Sequence, residues 1–229
     1  MMIKKLLALS ISLAFSTAPS VVLAEGNVAT GKTKSASCAG CHGEDGNSMV
    51  ATFPKLAGQH ADYIAQQLEA FKKGGRNAPM MAPLALGLDK ESIKDIAAYY
   101  ASKKISANQL PVFESDDDDD DEDEPAVSAD EKTAEFNALI AIGADLYRNG
   151  NLKSEVSACI ACHGPVGEGN KPASFPLLQG QHADYLIKTL TDFKKGDRSN
   201  TPDNMMHMIA KKMSDQEIKA VSYHISMMK

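Results

Sequence analysis

Two pentapeptides, Cys38-Ala39-Gly40-Cys41-His42 and Cys159-Ile160-Ala161-Cys162-His163, lie 121 positions apart and hold every cysteine of the 229-residue chain. Two thiols three positions apart, followed at once by an imidazole, form the attachment string of c-type haem. The thiols can add across the two vinyl groups of the porphyrin, and the adjoining imidazole can bind iron. Two copies with no cysteine left over predict two covalently bound haem c groups. Cys38, Cys41, Cys159 and Cys162 would carry the thioether links, with His42 and His163 on iron. Rival chemistries fit less well. A redox dithiol needs a βαβ context, and no alternating strand-like runs flank either string. A four-thiolate zinc site would leave both histidines idle and lacks the usual spacing. A disulfide between cysteines three apart closes a tight, strained loop.

The second axial ligand decides what such irons can do. A Met/His pair raises the potential and fills the coordination sphere, as an electron carrier needs, whereas an open position suits gas or peroxide chemistry. A lone methionine is ordinarily a gap-filling core residue. Here the sequence offers two Met-Met pairs in register. Aligning Leu88 with Met213 and stepping back seven positions sets Met81 on Met206 and Met80 on Met205, while Met208 falls opposite Pro83. Spacing alone leaves the choice within each pair open. His60 and His182 are bis-histidine rivals. Each begins a helix inside a repeated Gln-His-Ala-Asp-Tyr block, a place better suited to a structural or surface role. His207 and His224 have no counterpart in the first half and would serve one haem at most.

The elements that must position these groups also come twice. Phe53-Pro54-Lys55-Leu56 answers Phe175-Pro176-Leu177-Leu178, and Gly58-Gln59-His60-Ala61-Asp62-Tyr63 answers Gly180-Gln181-His182-Ala183-Asp184-Tyr185. Phe71-Lys72-Lys73-Gly74 answers Phe193-Lys194-Lys195-Gly196, and Arg76 answers Arg198. Two copies are too few for a solenoid and read as paired globular domains. Apolar residues recur at helical spacing: Ile64, Leu68 and Phe71 on one stretch, Leu186, Leu190 and Phe193 on its twin. The final helices carry Asp89 as a candidate N-cap and Ser214-Asp215-Gln216-Glu217 as a capping box. Further helices are expected around 28–35 and 132–148, with Gly- and Pro-rich loops after each haem string. The fold class is therefore all-α, two tandem units of short helices around one cofactor each.

Residues 1–24 read as a signal peptide, with Lys4 and Lys5 ahead of a short apolar run that Ser10, Ser12, Ser16 and Pro19 interrupt. The remaining chain of about 205 residues suits two small domains, which a porphyrin would supply with core. Nine consecutive acidic residues at 116–124, followed by Pro125, should stay solvated and extended. The expected partition is a domain at 25–106, an acidic linker at 107–131 and a domain at 132–229. The linker is a solubilising spacer or a docking patch for a basic partner or a metal ion.

The ordered set of Cys-x-x-Cys-His-Gly, Phe-Pro-x-Leu, Gly-Gln-His-Ala-Asp-Tyr, methionine loop and final helix, present twice, resembles the dihaem cytochrome c4 family across the whole mature sequence. The resemblance implies tandem cytochrome c-like domains in a pseudo-twofold arrangement with the haem propionates close together. It favours Met81 and Met206 as axial ligands, and Pro54 and Pro176 as carbonyl supports for the rings of His42 and His163. It also implies a periplasmic electron carrier of the respiratory chain. Its partners would be an electron donor and a terminal oxidase, with at most loose membrane association and no nucleic acid. The alternative is a small dihaem enzyme, a peroxidase or a thiosulfate-oxidising cytochrome. Thiosulfate-oxidising relatives use a cysteine ligand, and no spare cysteine exists here. The acidic run departs from the compact linker of the family and leaves the rigidity of the domain interface open.

Overall fold

The computed structural model describes residues 26–111 and 128–229. The expected signal peptide and the acidic run of the linker lie outside the described residues. The first half holds α1 (Val28–Lys34), α2 (Ala36–His42), α3 (Ala61–Lys72), α4 (Met81–Leu86) and α5 (Lys90–Ala101). The second holds α6 (Ala129–Asn149), α7 (Ile160–His163), α8 (Ala183–Lys195), α9 (Met205–Ala210) and α10 (Asp215–Ser226), with a 3₁₀ turn at Pro202–Asn204 before α9. The only β-type pairings among the described residues are two isolated bridges, Asn151 with Val156 and Asn170 with Phe175. The fold is all-α in two cytochrome c-like units.

Caps set the helix starts. The Asp89 carboxylate accepts the Ser92 N–H at 2.7 Å to open α5, and the Ser214–Glu217 box opens α10. The helix expected at 132–148 begins earlier, because Ser128 and Glu131 form a second capping box that carries α6 upstream.

Each unit is built around one helix crossing. In the first, α5 packs on α1 and α3; in the second, α10 packs on α6 and α8. Glycine permits the closest approach in both. A Cβ on Gly31 would fall on the Asp95 carbonyl of α5, and one on Gly143 would fall on the Ala220 carbonyl of α10. That correspondence aligns Ser35 with Tyr147, while Tyr100 of α5 answers Ile225 of α10. The bulky buried tyrosine has thus changed helix between the repeats, and Tyr100 and Tyr147 are both fully buried. The Tyr147 hydroxyl donates to the Gly164 carbonyl at 2.7 Å, and Tyr99 donates to the Glu44 carbonyl at 2.8 Å.

One ionic contact reinforces the first crossing. Buried Asp95 accepts Lys34 Nζ at 2.8 Å and the Asn27 N–H at 2.6 Å. These two bonds, Lys34 first, hold its carboxyl below the usual carboxylate range despite burial.

Gly143→Ala should cost the holoprotein at least the ~1–3 kcal/mol of stability typical of overpacking, read as a lower denaturation midpoint, because the obstacle is main chain and cannot turn aside. Asp95, with its lowered pKa, stabilises the native state above about pH 4, the ordinary value for aspartate. That contribution disappears as the pH falls through the depressed value. Asp95→Asn should therefore flatten the acid limb of stability against pH, as measured by denaturant titrations across that range.

Candidate haem centres

The two haem strings lie at the ends of α2 and α7, and both motif histidines are buried, His42 at 5% exposure and His163 at 7%. A turn follows each, entered through a glycine with positive φ, Gly43 at 82° and Gly164 at 79°. The chain then returns past Phe53-Pro54 or Phe175-Pro176. His42 Nδ1 lies 2.9 Å from the Pro54 carbonyl oxygen, and His163 Nδ1 lies 3.1 Å from that of Pro176. A carbonyl only accepts, so each Nδ1 carries the proton and donates it. The other ring nitrogen, Nε2, is left with its lone pair. Burial depresses the pKa of both imidazoles, outweighing the opposing effect of the proline carbonyls, so both rings are held neutral.

The four cysteines form no disulfide. Burial raises the pKa of the Cys38 thiol and pushes Cys159 up to about 11. Cys38, Leu56 and Met81 pack against the buried cluster of Ile64, Leu68, Ile93, Ile96 and Tyr100. Cys159, Leu178 and Met206 pack against the equivalent cluster of Leu186, Phe193, Ile218, Val221 and Ile225. Each half therefore gathers a thiol and a thioether on one apolar core, with a buried neutral imidazole in the same haem string. That donor set fits a covalently held haem. The pentapeptides belong to separate units, and among the described residues no group of three or more His, Cys, Asp or Glu side chains could hold a metal ion.

The methionine pairs differ within themselves. Met80 is 67% exposed, while Met81 is half-buried against the core. In the second unit it is Met206, the register equivalent of Met81, that joins the core. The approach to each pair is built differently. Asp203 and Asn204, aligned with Ala78 and Pro79, both adopt the left-handed region, at φ 51° and 53°. Short polar side chains tolerate that conformation better than others. The Met206 N–H then bonds Thr201 Oγ1 at 3.3 Å.

The remaining histidines have other surroundings. His182 Nε2 bonds the Ser48 carbonyl of the first unit at 2.9 Å, and His60 holds the matching position before α3. His207 Nδ1 donates to the Phe193 carbonyl at 2.7 Å, and His224 lies 5.7 Å from the Tyr147 ring.

Several repeated residues given no role by the sequence prove to join the two units. Buried Gln59 accepts the Leu177 N–H at 3.0 Å and donates to the Leu177 carbonyl at 2.9 Å. Its counterpart Gln181 accepts the Lys55 N–H at 2.8 Å and donates to the Lys55 carbonyl at 2.9 Å. Arg76 donates to the Tyr185 hydroxyl at 3.0 Å, and Arg198 donates to the Tyr63 hydroxyl at 2.9 Å. Each guanidinium also covers a phenylalanine of its own unit, Phe71 at 4.7 Å and Phe193 at 4.5 Å. Burial raises the Tyr185 phenol, but the charges of Arg76 and Arg198 more than offset that and leave its pKa lowered. The chain leaving α5 is stitched across as well. Lys55 Nζ donates to Asn108 Oδ1 at 2.7 Å, and Asn108 Nδ2 donates to the Gly180, Gln181 and Ser226 carbonyls at 3.0, 3.2 and 2.9 Å. The interface rigidity that the acidic run left open thus meets reciprocal glutamine and arginine bonds, all made by residues outside 107–131.

The cytochrome c family model matches residues 28–104 and 140–229. Cytochrome c4 of Azotobacter vinelandii is 39% identical over 212 residues, covering 88% of this chain and 89% of that protein. A thiosulfate dehydrogenase electron acceptor of Stutzerimonas stutzeri is 37% identical over 190 residues, covering 82% of this chain and 77% of that protein. The crystal structure of reduced recombinant cytochrome c4 from Pseudomonas stutzeri superposes with a TM-score of 0.76 at 35% identity, covering 89% of this chain and 100% of that one. With haem strings, proline supports and cores all duplicated, this chain belongs to the cytochrome c4 family, dihaem c-type electron carriers with two covalently bound haem c groups.

Proposed function

We propose that the protein is a periplasmic carrier that holds one electron per haem and passes them from a respiratory donor to a terminal oxidase, with no substrate turnover of its own. In this reading residues 1–24 direct export, residues 25–106 and 132–229 form the two haem domains, and residues 107–131 link them. Cys38 and Cys41 hold the first haem, with His42 and Met81 on its iron. Cys159 and Cys162 hold the second, with His163 and Met206 on its iron. Each bound haem supplies an iron that changes by one electron between its ferric and ferrous states.

The rest is done by the chain. The proline carbonyls fix the histidine tautomer and orientation and raise the basicity of the free nitrogen. The apolar clusters exclude water. Arg76 and Arg198, which have no carboxylate of the chain against them among the described contacts, suit the porphyrin carboxylates. The different scaffolds before Met81 and Met206 give the two haems different potentials.

The observation that carries this reading is the paired packing of half-buried Met81 and Met206, each on the core that also receives its own domain's first cysteine. A thioether for both irons favours a carrier over a peroxidase, which needs one iron open. A second reading of the partners is favoured by the relatives named as thiosulfate dehydrogenase electron acceptors. In it the donor is a sulfur-oxidising enzyme and this chain remains the acceptor. The acidic linker would then serve as a docking patch for a basic partner.

Met81→Ala should abolish the far-red methionine-to-iron band of one haem and lower its potential, with Met206→Ala doing the same to the other. Met80→Ala and Met205→Ala should leave both bands in place. Retention of the full band in Met81→Ala, or its loss in Met80→Ala, would contradict the assignment. Optical spectra of the oxidised holoproteins decide the matter.

A further inference from the structure

The peptide that supports each motif histidine is gripped by the other domain. The Pro54 carbonyl, which accepts the His42 Nδ1 proton at 2.9 Å, and the Lys55 N–H are two ends of one peptide unit. That N–H donates to Gln181 Oε1 at 2.8 Å, so an unbroken chain runs from the His42 ring through the peptide to a side chain of the second domain. The mirror chain runs from His163 through the Pro176–Leu177 peptide, at 3.1 Å, to Gln59 Oε1, at 3.0 Å. Each glutamine also holds the following carbonyl through its Nε2. Neither amide is free to drift, since Gln59 Oε1 and Gln181 Oε1 each accept the next residue's N–H at 3.0 Å as well. Both side chains are buried, Gln59 at 6% and Gln181 at 5% exposure. Such bonds are therefore not exchanged for water.

We propose that Gln59 and Gln181 are positioning residues that tune, each in the opposite domain, the potential of the haem whose histidine they support through this peptide. The proposal rests on the ligand roles of His42 and His163 given above. Bonds in a chain polarise one another. An acceptor on the N–H end of a peptide makes its carbonyl a stronger acceptor at the other end. The carbonyl then draws the Nδ1 proton further, and the ring becomes a more electron-rich ligand. Electron-rich ligation favours ferric over ferrous iron, so each glutamine lowers the potential of the haem across the interface. Domain docking and redox potential are coupled in this way, and the coupling is reciprocal.

The test uses full-length holoprotein, with the two haems followed separately by their own NMR resonances during a redox titration. Gln181→Met should raise the potential of the haem bound at Cys38 and Cys41. The expected change is about threefold in the oxidised-to-reduced ratio at fixed potential, about 30 mV at 59 mV per tenfold for one electron. It should leave the other haem unmoved. In the reduced protein the His42 Nδ1–H resonance should move upfield as its bond weakens. Gln59→Met should do the same to the haem at Cys159 and Cys162 and to His163. Gln181→Glu, which keeps an oxygen against the Lys55 N–H, should hold the first haem at or below its original potential, and it decides the question if Gln181→Met does not fold. Asn108→Ala loosens the same interface while leaving both peptides gripped, and should move neither haem. An unchanged potential in Gln181→Met, a shift of the haem in the same domain, equal shifts of both, or the same shift in Asn108→Ala would overturn the proposal. A failure of the ligand assignment itself shows separately, in the spectrum of the unsubstituted protein.

Discussion

The hydrogen bond from a buried motif histidine to a proline carbonyl is the contact on which the rest of this molecule depends. It places the proton on Nδ1 of His42 and His163 and leaves Nε2 with a lone pair in a fixed direction. A ring free to rotate or to change tautomer would hold iron poorly whatever else surrounded it. Much of the local architecture serves that bond. The positive-φ glycines after each string turn the chain, and the loop returns to bring the Pro54 or Pro176 carbonyl to the ring nitrogen.

Duplication then adds a second layer. The two loops that end in Pro54-Lys55 and Pro176-Leu177 are also where the domains meet, and the same peptide units face a histidine on one side and a glutamine on the other. Support for one centre is therefore partly supplied by the other domain. The arginine–tyrosine pairs repeat the pattern nearby, with each domain's guanidinium reaching the other's phenol. The interface is held by paired short-range bonds that each domain contributes in kind. For that reason an acidic connection between the domains does not by itself imply loose docking.

The cofactor was legible in the sequence because covalent haem attachment needs particular residue types at fixed spacing. The methionine register was proposed because the repeat supplied its own alignment; in the structure Met81 packs on the core while Met80 is 67% exposed. Helix caps at Asp89 and Ser214 were readable from local chemistry. Ser128 was passed over because its capping box precedes the apolar pattern of α6. The interface was not legible, although its residues were in plain view as repeats. Gln59 and Gln181 grip main chain, and the residues they hold, Leu177 and Lys55, are unlike one another. A side chain that bonds a backbone leaves no complementary signal in the partner's sequence. The exchange of a buried tyrosine between α5 and α6 was hidden for a related reason. Volume is conserved in space, while the residue that supplies it changes helix.

In this protein both irons would be closed by histidine and methionine and take up one electron each. A potentiometric titration of the purified holoprotein, followed through the haem bands and the far-red methionine band, tests it most directly. Two one-electron waves are expected, with the methionine band of both haems present in the oxidised protein. A single wave of one electron, or a haem that lacks the band, would contradict it.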